Sequence, residues 1–139
     1  MLEIRYVTPG DRAFWYHLDR HLPQAVFADK VQKKRGYVAW LDGRPVGLLR
    51  YNLFWDNTPF CTMLYIAENC RGKGYGKHLM QRWEADMKAQ GYQIALTSTR
   101  SDEGAQHFYR KLGYFDCGCL VLSVLDAAQP AELFFVKNI

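Results

Sequence analysis

The chain has 139 residues and a formal charge of +4, from 18 Lys and Arg against 14 Asp and Glu. That length suits one compact domain, residues 1–139, and leaves no room for a second core. So mild a basic balance fits a phosphate-bearing ligand without calling for nucleic acid. No apolar run reaches bilayer-spanning length and Met1-Leu2-Glu3-Ile4-Arg5 is unlike a signal peptide, so the expected setting is the cytoplasm, with no membrane partner.

Leu2, Ile4 and Tyr6 alternate with polar neighbours, as in a half-buried first strand. Asp11, after Pro9-Gly10, is placed to cap a helix carrying Phe14, Trp15, Leu18 and Leu22. Pro23 opens a second helix with Val26, Phe27 and Val31, which ends in Lys33-Lys34-Arg35 before Gly36. This basic run reads as a solvated helix end that complements the helix dipole. His17 and His21 stand one helical turn apart but lack a third ligand, so no metal site is expected.

From residue 36 the pattern becomes strand-like. Residues 37–41 and 46–53 flank Asp42-Gly43-Arg44-Pro45, a hairpin signal. A turn at residues 55–59 leads into residues 60–67, apolar on both sides like a central strand. A glycine-rich turn follows, then Leu79, Met80, Trp83 and Met87 mark one face of a helix that stops at Gly91. Residues 93–99 read as a strand, and Asp102 as the cap of a helix running through Leu112 to Gly113. Two last strands are expected near residues 119–125 and 133–137. The order β-α-α-β-β-β-α-β-α-β-β predicts one α/β domain with a mixed, mostly antiparallel sheet and helices on both faces. Leu133-Phe134-Phe135-Val136 reads either as a homodimer surface or as the last core strand. Cys61, Cys70, Cys117 and Cys119 form no C-x-x-C pair, so buried or idle thiols are expected; Cys117 and Cys119 would share one strand face.

The turn Arg71-Gly72-Lys73-Gly74-Tyr75-Gly76 is the feature with chemistry in it. Glycines at 72, 74 and 76 let the backbone take positive φ, so several N–H groups can converge on one anion. The helix that starts there adds unpaired amides and the positive end of its dipole. Arg71, Lys73 and Lys77 supply outer charge. A Walker loop is excluded, because residue 71 is not glycine and His78 is neither Ser nor Thr. The dinucleotide fingerprint G-x-G-x-x-G fails at Lys77 and at Leu79.

Residues 66–77, Ile66-Ala67-Glu68-Asn69-Cys70-Arg71-Gly72-Lys73-Gly74-Tyr75-Gly76-Lys77, resemble motif A of the GNAT acetyltransferase superfamily: a strand, an R-x-x-G-x-G turn and a helix. Residues 101–114 resemble motif B, with Ala105, Tyr109, Lys111 and Gly113 matching, Tyr114 as the aromatic, and Asp102 where Asn is usual. The resemblance covers essentially the whole chain. It implies an N-acetyltransferase using acetyl-CoA, whose pantetheine arm lies along the backbone of Tyr65 and Ile66. Its pyrophosphate would sit on Arg71 to Lys77, with further contacts to Asp102 and Tyr109. A backbone N–H near Ile66 would steady the oxyanion, and Tyr109 would protonate the leaving thiolate.

The base stays open between Glu68 and Asp56. Phe27, Phe54 and Trp55 are expected to line the acceptor pocket, where aromatic faces suit an apolar or cationic amine. The acceptor is read as a small-molecule primary amine. A peptide or protein amine, and a CoA-binding module without catalysis, are the alternatives.

Overall fold

The computed structural model describes residues 1–124, 126 and 128–139. In chain order these form β1 (Leu2–Tyr6), α1 (Arg12–Leu18), α2 (Gln24–Gln32), β2 (Gly36–Leu41), β3 (Arg44–Phe54), β4 (Thr58–Ile66), α3 (Tyr75–Ala89), β5 (Ile94–Arg100), α4 (Ala105–Lys111), β6 (Phe115–Leu120) and β7 (Glu132–Asn138). The strands build one sheet in the order β1-β2-β3-β4-β5-β7-β6. Neighbours run antiparallel throughout, save the parallel pair β4–β5.

Helices cover both faces, as the pattern predicts. Leu79, Met80, Trp83 and Met87 of α3 are all fully buried and pack with Tyr37, Leu49 and Phe135. On the other face Trp15, Leu22 and Phe27 pack against Val38 and Leu48. The segment Leu133–Val136 lies in β7, between β5 and β6, and Phe135 is fully buried, so it is an inner strand.

The two hairpin turns differ in how well their residues suit them. Asp42 and Gly43 both take positive φ, 49° and 80°, as a two-residue loop demands. Between β3 and β4, Trp55 and Asp56 take φ of 54° and 62° without any glycine. Three other local expectations shift. Asp11 turns its carboxylate back to Thr8, accepting from its N–H (2.8 Å) and Oγ1 (3.0 Å), instead of serving α1. Asp102 pairs with Arg100, and Gly104 occupies the cap position of α4. The strand expected near 119–125 lies at 115–120; the far end of the expected range, Leu125, is outside the described residues. Its register with β7 slips between Asp116 and Gly118, and Gly118 has φ 141°, so a bulge at Cys117 breaks the alternation expected of Cys117 and Cys119.

A second bulge shapes the centre. Arg50 pairs with Met63 but Tyr51 with Cys61, so Thr62 is an extra residue in β4. The slip lets Cys61 and Leu64 both face α3, while Met63 faces α1 and α2. A buried ion pair pins it: Arg50 Nε donates to Asp19 Oδ2 (2.7 Å) and its Nη1 to Thr62 Oγ1 (2.9 Å), while Trp15 Nε1 also donates to Asp19 (3.1 Å). Burial pushes the Asp19 carboxyl up, but hydrogen bonding and charge from Arg50, with His21 N–H and Trp15, outweigh it and hold the carboxyl below its ordinary value.

Lys30 of α2 is buried, and its Nζ donates to the carbonyl of Tyr51 (2.6 Å). Burial first, then the nearby Arg50 and Arg35, bring its ammonium from 10.5 down to about 8. The unfolded chain therefore binds this proton more tightly than the folded one, which costs stability in full below about 8, a cost relieved as pH climbs toward 10.5. Lys30→Met is expected to melt higher relative to wild type at pH 7 than at pH 9.5. Thermal unfolding of both chains across that range checks it; a gap independent of pH would remove the titration from the account.

Candidate active site

β4 and β5 stay paired only at Phe60 with Leu96 and Cys61 with Thr97. Beyond that rung β4 runs on along β3 alone, while β5 continues along β7. The two strands therefore open into a notch, and the edge of β4 from residue 62 to 66 has no β5 partner. Thr97 Oγ1 closes the last rung by donating to the carbonyl of Cys61 (3.2 Å).

A cleft of about 790 Å³ lies on the α3 and α4 side of this notch. One wall is Leu64, Tyr65 and Ile66; one end is Arg71, Gly72, Gly74, Tyr75, Gly76 and Lys77; the other wall is α4, through Gly104, Ala105, Phe108 and Tyr109. The volume lies within the range of pockets that enclose a small-molecule ligand. Gly72 and Gly74 take φ of 77° and 85°, and added Cβ atoms there would meet nothing within 4 Å, so the turn is bent around open space. Gly74 is also the residue at which α3 begins, so free amides and the dipole of a 15-residue helix face the same end of the cleft. Gly47 of β3 is small for a different reason: a Cβ would stand 2.6 Å from Ile66 Cδ1 and 3.0 Å from the Tyr65 carbonyl.

A diphosphate with an extended amide-bearing arm fits these features: a bent anion cradle at one end and an unpaired strand edge leading to the notch. Arg71 turns back to β4, where its Nε donates to the Ile66 carbonyl (2.9 Å) and its guanidinium lies 5.0 Å from the Tyr65 ring. Lys77 lines the cleft, whereas Lys73 and Asp102 do not. Glu68 sits exposed in a short 3-10 turn, Glu68–Cys70, off the cleft wall. Position in sequence beside the central strand suggested that residue; the turn swings it outward. Phe108, Leu112 and Glu103 also line the cleft. Phe108 stands against the glycine turn, where an added Cβ on Gly76 would meet its ring at 3.4 Å, a contact that only the fold creates.

Tyr109 lies at the foot of the notch, 5% exposed, its ring 5.3 Å from Phe108, 5.9 Å from Tyr114 and 6.0 Å from Phe135. Burial, with Cys61, Glu103 and Glu132 adding to it, raises its phenol well above the ordinary value, only partly offset by the polar Thr97 hydroxyl nearby. Burial likewise pushes the Cys61 thiol up to about 12, so that sulfur is a neutral neighbour and no nucleophile.

The opposite face of the notch is open. Phe54 lies tilted against Trp55 at 4.6 Å and edge-to-face with Phe60 at 5.8 Å, and Phe60 lies 5.9 Å from Phe134. Trp55 is 79% exposed. Phe27 departs from expectation: it is buried between α1 and α2, 5.9 Å from Trp15, because the apolar stripe of α2 packs onto the sheet. Among the described residues no group of three His, Cys, Asp or Glu side chains could hold a metal, and no helix is long and apolar enough to cross a membrane.

The family model of the Acetyltransferase (GNAT) family matches residues 4–114. A search of curated proteins returns no match. Among solved structures, Ard1 from Thermoplasma volcanium superposes with a TM-score of 0.86 at 19% identity, over 99% of this chain and 97% of that one. The ribosomal-protein-S18-alanine N-acetyltransferase from Escherichia coli gives 0.82 at 15%, over 100% and 94%. An acetyltransferase of Bacillus anthracis str. Ames, solved in complex with acetyl coenzyme A, gives 0.83 at 16%, over 100% of both chains. With its family model spanning most of the chain and its strand–turn–helix notch in place, the protein belongs to the GNAT family of acetyltransferases and uses acetyl-CoA.

Proposed function

We propose that the chain moves an acetyl group from acetyl-CoA directly to a primary amine of a small molecule, with Tyr109 as general acid. The observation that carries this is the placement of the Tyr109 phenol, buried at the foot of the notch in the same cleft as the glycine turn. When bound, acetyl-CoA supplies an activated acyl group on a thiolate leaving group. The amides of Gly72, Gly74 and Gly76 and the start of α3 would hold its phosphates, with Lys77 as added charge. The free edge of Tyr65 and Ile66 would pair with its arm, which requires Arg71 to release the Ile66 carbonyl. A backbone N–H near Ile66 would receive charge developing on the carbonyl oxygen.

A peptide or protein amine is the second reading. It is favoured by the open acceptor face, where Trp55 projects and Phe54, Phe60 and Phe134 form a surface rather than an enclosed pocket. The Escherichia coli neighbour acts on the alanine of ribosomal protein S18. CoA release measured against pooled amines, amino acids, polyamines, aminoglycosides and short peptides separates the two readings; silence with every pool would argue for binding without transfer. The cytoplasm is the proposed setting, where Cys61, Cys70, Cys117 and Cys119 would stay reduced, as they are here.

A further inference from the structure

Glu68, one of the two carboxylates suggested by the sequence, lies off the cleft wall, but another carboxylate stands at the notch. Along β5, Ala95, Thr97 and Thr99 are buried toward α3 and α4, so Leu96, Ser98 and Arg100 take the other face. In β7, Phe135 is buried toward the same helices, which puts Phe134 and Glu132 on that other face too. Register places Phe134 opposite Ser98 and Glu132 opposite Arg100. Ser98 is the first residue of β5 beyond the last rung shared with β4, so these side chains form the β5 lip of the notch.

The lip is arranged around Glu132. Ser98 Oγ donates to Glu132 Oε1 at 2.9 Å, and among the described residues Oε2 has no partner. Arg100 faces Glu132 across the ladder, but its guanidinium is held by Asp102 at 2.9 and 3.1 Å and has Glu103 at 3.7 Å. Glu132 is therefore half-buried and, among the described residues, without an ion-pair partner, beside the apolar floor made by Phe60 and Phe134. A carboxylate next to aromatic faces suits a protonated amine with an apolar substituent. The side chain also lies near enough for its charge to bear on Tyr109 across the notch.

We infer that Glu132 is the base that takes the acceptor's ammonium proton, an inference that rests on the acetyl-transfer reading. The ammonium gives one proton to the Glu132 carboxylate, which passes it to solvent. The neutral amine then forms the C–N bond as the C–S bond breaks and its electron pair stays on sulfur. Tyr109 gives its phenolic proton to that sulfur, and the second proton shed by nitrogen restores the phenol. The charged groups facing Glu132 are Arg100, with Asp102 and Glu103 around it, and the titratable Tyr109 lies beyond.

The test compares wild type with Glu132→Gln, which retains an acceptor for Ser98. The probes are 2-phenylethylamine, spermidine and a short peptide with a free N-terminus. At pH 7 the variant is expected to lose at least about tenfold in kcat/KM for whichever amine turns over. Its melting temperature and calorimetric affinity for acetyl-CoA should match wild type. Because it depends on amine that is already neutral, its rate should climb about tenfold per pH unit toward the amine's own pKa and close on wild type there. Unchanged kcat/KM at pH 7, or a loss that high pH does not relieve, overturns the assignment. A wild type that binds acetyl-CoA and releases no CoA with any amine sinks the transfer reading itself, and the base with it.

Discussion

Tyr109→Phe is expected to lower kcat about a hundredfold, the low end of what a positioned general acid contributes. The melting temperature and the affinity for acetyl-CoA should stay close to wild type. The ring keeps its contacts with Phe108, Tyr114 and Phe135, and Thr97 keeps its bond to the Cys61 carbonyl, so only the hydroxyl is lost. At first sight the raised phenol is a poor acid for a thiolate, whose ordinary value is already lower, roughly 8.5 against ~10. However, the thiolate is born in the same dry notch, and desolvation raises its proton affinity as well. What matters is the difference between two anions that both lack water. A phenol that remains protonated through the neutral range also predicts the shape of the pH profile. Burial lifts Tyr109 above its ordinary value, so kcat should show no descending limb from its ionisation up to about pH 10. Steady-state kinetics of the variant with the best acceptor decides the matter: a kcat equal to wild type would leave Tyr109 as a packing residue.

Local signals carried the fold well wherever one helix or one turn contains the whole reason. The α3 stripe is an example, since Leu79, Met80, Trp83 and Met87 lie on one face of a single helix and all four are fully buried. The glycine turn is another, because Gly72 and Gly74 take the positive φ that their identity permits. Sequence pattern falls short where a residue's place depends on distant strands. Phe27 and Phe54 look alike in sequence; only the packing of α2 onto the sheet makes the first core and leaves the second outside it, against Phe60. Glu132 is unremarkable until β7 inserts between β5 and β6 and sets it beside Ser98. Asp102 carried a cap signal, but Arg100 two residues earlier competes for its carboxylate and wins with two hydrogen bonds. The bulges at Thr62 and Cys117 are likewise properties of pairing, not of either strand alone.

Gly74→Val is expected to weaken acetyl-CoA binding about ten- to a hundredfold, measured by calorimetry, while the chain still folds. Gly74 takes φ 85° at the start of α3, a conformation that costs an L-residue roughly 1–2 kcal/mol and a β-branched one more. Relief of that strain would rotate the peptide units on either side and turn their N–H groups away from a shared anion. Each charge-assisted hydrogen bond so lost is worth about 1.5–3 kcal/mol, about one to two decades of affinity. The added side chain would also stand at the cleft wall, which Gly74 lines. Strain alone has to be separated from loss of the cradle, and Gly91 provides the comparison. It takes φ 96° just beyond the far end of α3, with open space around a Cβ and no place in the cleft. Gly91→Val should lower the melting temperature by a similar amount and leave the affinity for acetyl-CoA unchanged. Equal losses of affinity in both variants would show that binding responds to the stability of α3 as a whole, and that the turn at Gly74 holds no anion of its own.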